Sequence, residues 1–282
     1  MIQKPSVSEK IQKVLARAGV ASRRTAEEWI AEGRVMLNGQ TAQIGDRVTA
    51  SDEIYVDGKR IPFELGEESS RRLLMYHKPE GQVCTRTDPE GRPTVFEQLP
   101  DLDNERWVAV GRLDLNSVGL LLFTTDGDFA NSLMHPSSQV EREYAVRVLG
   151  PITQDMIQQL LKGVMLDDGI AQFSRITQGA GEGANQWFRV TIKEGKKREV
   201  RRMWEAVGGK VNRLIRIRFG HLELPRDLSP GSYRELDQED IDQLANLVGV
   251  TLKRRTGLYG RQKVRPEPEN PRPAKRGFLR RR

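Results

Sequence analysis

An α+β chain of about two domains is the class this sequence predicts, and three observations carry the prediction. Near the start, apolar residues recur at helical spacing, at Ile11, Val14, Leu15 and Ala18 and again at Ala26, Trp29 and Ile30. Two-residue turns of the kind that close β-hairpins, Asn38-Gly39 and Asp57-Gly58, follow. Further on, segments that alternate with a period of two, such as Glu143 to Val148 and Arg213 to Gly220, are interspersed with helical patterns. The 282 residues suffice for about two domains and at least one sizeable core.

Taken in order, Ser8 is placed to cap a first helix that Gly19 ends, and Ser22 to cap a second that stops at Gly33. Lys10, Lys13, Arg17, Arg23 and Arg24 then fall on outer surfaces or in the joint. The hairpins join Ile54-Tyr55-Val56 to Arg60-Ile61 and close a module at residues 1–64. A polar stretch without periodicity, 65–71, reads as a linker. A second domain, 72–252, begins with a strand at Leu73 to Tyr76 and a turn at Lys78-Pro79-Glu80-Gly81, followed by a polar loop over 84–94. Apolar runs Trp107 to Val110 and Leu120 to Phe123 read as strands, with Arg112, Leu113 and Asp114 in their connection. Thr153 caps a helix through Ile157, Leu160 and Leu161. The glycine-rich Gly179 to Gly183 precedes a strand, Trp187 to Ile192, where a dinucleotide fold needs a helix, so it reads as a hairpin loop. Val200, Met203, Trp204 and Val207 mark the inner face of a helix that places Arg201 near the seam and Arg202 outward. A last helix spans Asp237 to Val248.

Composition narrows the function. Hydrophobic residues are 37% and charged residues 30%, no apolar run nears the ~20 residues of a membrane helix, and MIQKPSVSEK has no secretory apolar segment, so a cytoplasmic protein is expected. Cys84 is alone, which excludes an internal disulfide and a cysteine-based zinc cage and leaves an inert thiol as the simplest reading. His77, His135 and His221 are scattered and read as structural or surface residues. Net charge is +7, yet residues 253–282 hold 12 Lys or Arg against two Glu, so the first 252 residues carry −3. That proline-rich basic tail is expected to be disordered and to follow a polyanion backbone without reading sequence.

Asp114 lies among Leu113, Leu115 and further leucines. If buried, such a carboxylate needs a cation or several N–H groups as partners; a turn cap or a local pair with Arg112 are the plainest alternatives. The whole string GRLDLNSVGLLLFTTDGDFANSLMHP, from Gly111 to Pro136, resembles the signature of the RNA pseudouridine synthases, in the branch that holds the small-subunit synthase A and the large-subunit synthases B, E and F. The chain departs from that pattern at Ser117-Val118, where many members carry Thr-Glu or Thr-Ser. The resemblance implies that Asp114 is catalytic, that Tyr144 of E-R-E-Y-A-V stacks on the target base, and that Arg201 of K-K-R-E-V-R-R-M-W forms an ion pair with Asp114. A stretch of some 58 residues in the first module resembles the S4 RNA-binding domain in K-x-L-A-x-x-G-x-x-S-R-R and G-x-V-x-x-N-G, which implies RNA contacts for Arg17, Ser22, Arg23, Arg24, Arg34 and Asn38. In the second domain Arg86 and Arg92, by resemblance to the synthases, and Arg112, Arg198 and Arg202 are expected to face RNA, as is Arg216 on the open face of the alternating strand 213–220.

The family's fold would be an S4-like domain followed by an α+β catalytic domain on a mixed, mainly antiparallel sheet. The resemblance implies that uridine is turned into its C-glycoside, and a stem-loop of 23S ribosomal RNA near the peptidyl transferase centre is the expected target. No electrons or external groups are exchanged, so no cofactor and no metal are expected, and a monomer is. The target base must leave its stack to react. A non-enzymatic RNA-binding or ribosome-assembly factor, or a synthase acting on another ribosomal RNA site, are the rival readings. A zinc deaminase is excluded by the single cysteine, and a cofactor-dependent methyltransferase by the lack of a strand, glycine loop and helix.

Overall fold

The computed structural model describes residues 8–63, 65, 71–102, 105–179 and 185–250. The first seven residues, most of the expected linker, the tip of the glycine-rich loop and the whole basic tail lie outside the described residues.

The N-terminal module runs β1 (Glu9–Lys10), α1 (Ile11–Arg17), α2 (Arg23–Ala31), β2 (Val35–Leu37), β3 (Gln40–Thr41), β4 (Arg47–Val48), β5 (Ile54–Val56) and β6 (Lys59–Ile61). Both turn dipeptides adopt the left-handed conformation, with φ of 52° and 81° at Asn38-Gly39 and 48° and 78° at Asp57-Gly58. Four strands pair in the order β3-β2-β5-β6, and Ile11, Val14, Leu15, Ala26 and Ile30 bury the inner helix faces against Val35, Ile54 and Val56. Ser22 caps α2 by accepting from the Thr25 amide at 3.0 Å. Ser8 does not cap α1, because Glu9–Lys10 pair with Arg47–Val48 as a short ladder and the Ser8 hydroxyl accepts from Arg47 Nε at 2.9 Å instead.

The larger body runs β7 (Leu73–Lys78), β8 (Val108–Val110), β9 (Val118–Thr124), α3 (Gly127–Met134), β10 (Arg142–Leu149), α4 (Gln154–Lys162), β11 (Val164–Leu166), β12 (Gly169–Ala171), β13 (Arg175–Gln178), β14 (Asn185–Ile192), α5 (Glu199–Ala206), β15 (Lys210–Phe219), β16 (Leu222–Glu223), β17 (Tyr233–Glu235) and α6 (Gln238–Leu247). Nine strands form one mixed sheet, ordered β13-β14-β10-β15-β9-β7-β17, with β16 on β15 and β8 on β9. Every pairing is antiparallel except that of β15 with β9. The strands flanking the glycine-rich segment, β13 and β14, pair as the expected hairpin.

Strands β7 and β9 are apolar on both faces, as their unbroken apolar runs require. Leu73, Met75, Leu120 and Leu122 pack under α3 and α6. Leu74, Tyr76, Leu121 and Phe123 pack on the opposite face against Val95, Trp107 and Leu113. The other half of the sheet, β10, β14 and β15, buries Val146, Phe188, Val190 and Leu214 against Met203 and Trp204 of α5 and Leu160 of α4.

The two halves meet at the parallel seam, and one glycine makes the seam possible. Ile215 pairs with Val118 and Arg216 with Gly119. Gly119 has φ of 109°, and a Cβ built there would sit 2.3 Å from the Arg216 carbonyl oxygen. On the same edge of β9, β15 pairs at Val118 and Gly119 and β8 from Leu122 to Thr124, which leaves a gap between them at Leu120 and Leu121. The chain from Gly111 to Ser117 crosses that gap.

Gly119→Ala is therefore expected to open the seam. The backbone conformation alone costs about 1–3 kcal/mol, and the steric overlap adds to it, so thermal unfolding should shift down by at least about 2 °C. An unchanged melting temperature would contradict the close approach.

Candidate active site

The crossing segment, Leu113 to Ser117, is held by its carbonyl groups, residue after residue. The Leu113 carbonyl oxygen lies 3.3 Å from Cys84 Sγ, which donates its S–H, while the Leu113 amide approaches the same sulfur at 3.4 Å. Burial of Cys84 raises its thiol pKa, which keeps the proton on sulfur, as that contact needs. The Asp114 carbonyl accepts from the Ser117 amide at 3.0 Å. The Leu115 carbonyl accepts from the Gly81 amide at 3.0 Å and from Lys78 Nζ at 3.4 Å. Arg201 Nη2 donates to the Asn116 carbonyl, and Lys78 Nζ to the Ser117 carbonyl, each at 2.9 Å.

Lys78 is fully buried. Its third contact is the Pro79 carbonyl at 2.9 Å, so carbonyl dipoles saturate its donors. Burial lowers its pKa, and the nearby Asp114 charge counters part of that.

What this turn presents is Asp114. Its side chain keeps a third of its surface exposed, at 33%, and lines a cleft of about 810 Å³ together with Arg112, Tyr144, Arg198 and Glu199. The nearest cation is Arg198, with Nη1 3.9 Å from Oδ2 of Asp114. Arg198 precedes α5 with φ of 51°, left-handed for a residue with a side chain. Such a conformation persists only where the surroundings impose it, and it is common at functional sites. Tyr144 stands half-buried on β10, lines the cleft and packs against the cores of both sheet halves. A bulge in the β10–β15 ladder adjoins it.

The floor of the cleft is polar and buried. Arg142 donates to the carbonyls of Lys193 at 2.8 Å and Val140 at 3.1 Å, and Arg216 Nε to the Leu120 carbonyl at 2.6 Å. Arg216 Nη2 and Glu199 Oε1 are buried without a hydrogen-bond partner among the described residues. Burial raises the pKa of Glu199, whose other oxygen accepts from the Lys196 amide at 2.8 Å. Among the described residues no group of three or more His, Cys, Asp or Glu is arranged to hold a metal ion, and no helix is long and apolar enough to cross a membrane.

The RNA pseudouridylate synthase family model matches residues 72–206, which contain the turn, Tyr144 and Arg198, and the S4 domain model matches residues 9–54. A ribosomal large subunit pseudouridine synthase B of Yersinia pestis is 55% identical over 249 residues, covering 88% of this chain and 78% of that protein. The chain belongs to the RNA pseudouridylate synthase family. The family member of the same description from Escherichia coli K12 is 55% identical over 86% of this chain and 84% of its own length. That of Pseudomonas aeruginosa is 58% identical, and the match spans 64% of its length. A crystal structure of a pseudouridylate synthase superposes with a TM-score of 0.58 at 27% identity, over 83% of this chain and 99% of that one.

Within this family frame the structure relocates several residues picked from sequence. Arg201 is buried, with Nη1 on the Val211 carbonyl at 2.9 Å and Nη2 on Asn116, and makes no ion pair with Asp114. Its guanidinium is committed to backbone, and the ion pair is made instead by Arg198 at the start of the same helix. Burial, with Arg198 next, lowers the pKa of Arg201.

Of the residues expected to face RNA, Arg24 is 90% exposed and meets only Glu28, at 3.5 Å on its own helix, and Arg112 is exposed at the cleft. The others engage the protein itself. Arg34 forks onto Asp57 and lies over Trp29, and Asn38 bonds Asp52 and the Glu53 amide. Arg17 pairs with Glu9 and Arg23 with Asp128. Ser22 is spent as a helix cap. Arg86 donates to the Trp107 carbonyl over the Phe96 ring, Arg92 pairs with Asp88, and Arg202 with Asp168. Arg216 was expected on an open strand face, yet β15 is an interior strand between β10 and β9, and its guanidinium is covered.

Sequence reasoning passed over Lys78, Arg142 and Glu199. A lysine ending the strand Leu73–Lys78, which is otherwise buried or nearly so, was the one available signal for a trapped cation.

Lys78→Met keeps the bulk and removes the donors. Loss of about 1.4 kcal/mol of net hydrogen bonding corresponds to a tenfold change, so amide exchange at Gly81 and Ser117 should accelerate by about tenfold or more. Unchanged exchange there would show that Lys78 does not hold the turn.

Proposed function

We propose that this protein isomerises uridine to pseudouridine in large-subunit ribosomal RNA, with Asp114 as the reacting carboxylate. The observation that carries this reading is Asp114 itself: a carboxylate displayed on a clamped turn, facing Arg198, in the same cleft as Tyr144. The family relationship supplies the reaction, and the named relatives support the ribosomal large subunit as substrate. We extend this to a uridine in a 23S stem-loop near the peptidyl transferase centre, acted on in the cytoplasm by a monomer.

The reaction breaks the bond from N-1 to C-1′, turns the freed uracil and joins C-5 to the sugar, so C-5 loses a proton and N-1 gains one. A carboxylate serves such chemistry as nucleophile or as base. The cleft volume accommodates a nucleotide but not a duplex, so the base enters flipped out, at less cost when it is already unpaired. Tyr144 offers a ring for it to stack on, worth about 1–3 kcal/mol for base–aromatic contact. Arg198 keeps a positive charge beside Asp114, and Arg112, exposed at the rim, is placed to hold a phosphate. Arg201 acts behind them as a positioning residue that holds the turn.

Asp114→Asn should abolish product while ribosomal RNA binding stays within about threefold, since a single neutralised carboxylate adds no lost phosphate contact. Pseudouridine mapping on a 23S transcript reads the first and filter binding the second; turnover by the variant above a tenth of wild type would end the assignment.

The basic tail, by composition, contributes phosphate contacts. Deleting residues 253–282 should flatten the dependence of binding on salt while product still forms. An equal slope with and without these residues would remove the tail from the binding account.

A further inference from the structure

Helices α1 and α2 lie over the start of α3, and Asp128 joins them. One of its carboxylate oxygens is 2.6 Å from Lys13 Nζ and the other 2.9 Å from Arg23 Nη2. Beside it, Arg106 Nη1 donates to the Ala21 carbonyl at 2.7 Å. Gly19, with φ of 75°, comes so close to Glu105 that a Cβ would lie 3.0 Å from its carbonyl oxygen. Around these contacts is a crevice of about 540 Å³. Its cations are Lys13, Arg17 and Arg23 from the N-terminal module and Arg71 and Arg106 from the body, and its carboxylates are Glu9, Asp126 and Asp128.

Glu9 meets Arg17 at 2.7 Å and Asp126 meets Arg71. Glu9 also meets Lys13 at 3.3 Å, so Glu9 and Asp128 are each shared by two cations, but only Asp128 ties the module's cations to the body; Arg106 donates to a carbonyl. Burial, then Arg86 and Arg23, lower the pKa of Arg106, as expected of a guanidinium whose charge is poorly compensated. A crevice with more cations than carboxylates, fork-shaped donors and one largely exposed acid has the chemistry of a phosphate site. Asp128 is 57% exposed, so its hold on the two cations is the weak, screened kind that a competing anion with more acceptor oxygens displaces.

We propose that this crevice binds a backbone phosphate of the substrate RNA, and that in the free protein the Asp128 carboxylate occupies the phosphate's place between Lys13 and Arg23. The inference rests on the RNA-modifying reading above and adds a site that joins the module to the body. Binding moves Lys13 and Arg23 from an internal partner to the substrate, with Arg106 completing the set from the body side. The module's grip on RNA thus competes with its grip on the body.

The test uses the full chain and a 23S ribosomal RNA transcript, with binding measured across a salt series. Asp128→Asn should bind about tenfold tighter, the worth of one charge-assisted hydrogen bond, and its log–log salt slope should steepen by about 0.7–0.9, one more phosphate neutralised. Asp128→Ser should do the same, which separates loss of the carboxylate from any effect of the new amide, and melting temperatures verify that both fold. In an Arg23→Gln background the gain should vanish. Binding no tighter than wild type in both variants overturns the proposal, as does a gain that survives Arg23→Gln, since that is a mere change in net charge. Pseudouridine mapping of the wild-type reaction on the same transcript is scored separately: its failure sinks the functional reading, while the binding comparison still decides the crevice.

Discussion

The arrangement depends on a buried ammonium group under a turn. Lys78 Nζ reaches three backbone carbonyls, and two of them, Leu115 and Ser117, belong to the segment that displays Asp114. Burying a lysine is costly unless its donors are met. Here the turn's carbonyls meet them, so the turn satisfies the lysine and the lysine shapes the turn. Arg201 closes the same network from α5 through Asn116 and Val211. A carboxylate on an ordinary surface loop would sample many positions; this one projects from backbone held at successive residues, which is the preorganisation that chemistry on a flipped base requires.

The cleft exists because the sheet forks. β9 has β7 along one edge, while β8 and β15 share the other and diverge. Gly119 lets β15 approach closely at the branch point, and the gap above it receives the Asp114 turn. Tyr144 and Arg198 reach the same gap from the other half of the sheet, one beside a bulge in a ladder and the other in a left-handed conformation before a helix. Local irregularity gathers where the two halves meet, and the groups that line the cleft gather with it.

Positive charge in this protein is mostly internal business. Among the described residues, guanidinium groups that pattern alone would aim at RNA are forked onto Asp57, Asp88 and Asp168 or laid on carbonyls and rings. Arginine suits such places because its planar fork matches carboxylates and its donors match carbonyl groups. Of the residues that pattern aims at RNA, Arg24 and Arg112 stay exposed, Arg112 at the cleft rim, so fewer of them are open than the sequence suggests.

Short-range rules read well from the chain. The helix faces of Ile11, Leu15 and Ile30, the Ser22 cap, the left-handed turns at 38–39 and 57–58 and the connection holding Asp114 each depend on neighbours a few residues apart, and each formed as expected. Ser8 lost its role as a cap because β4, far along the chain, offered β1 a backbone ladder. Whether Arg198 or Arg201 faces Asp114 was beyond reach for the same kind of reason. The two are one helical turn apart, and their directions depend on how α5 packs and on carbonyls at 116 and 211. Residue type and periodicity thus settled most of the elements and caps, since these follow from local backbone preferences, while Asp114 was singled out by resemblance. Folding alone settled which charges are partnered, which are buried and which face the cleft, because electrostatic partnership depends on distance in space.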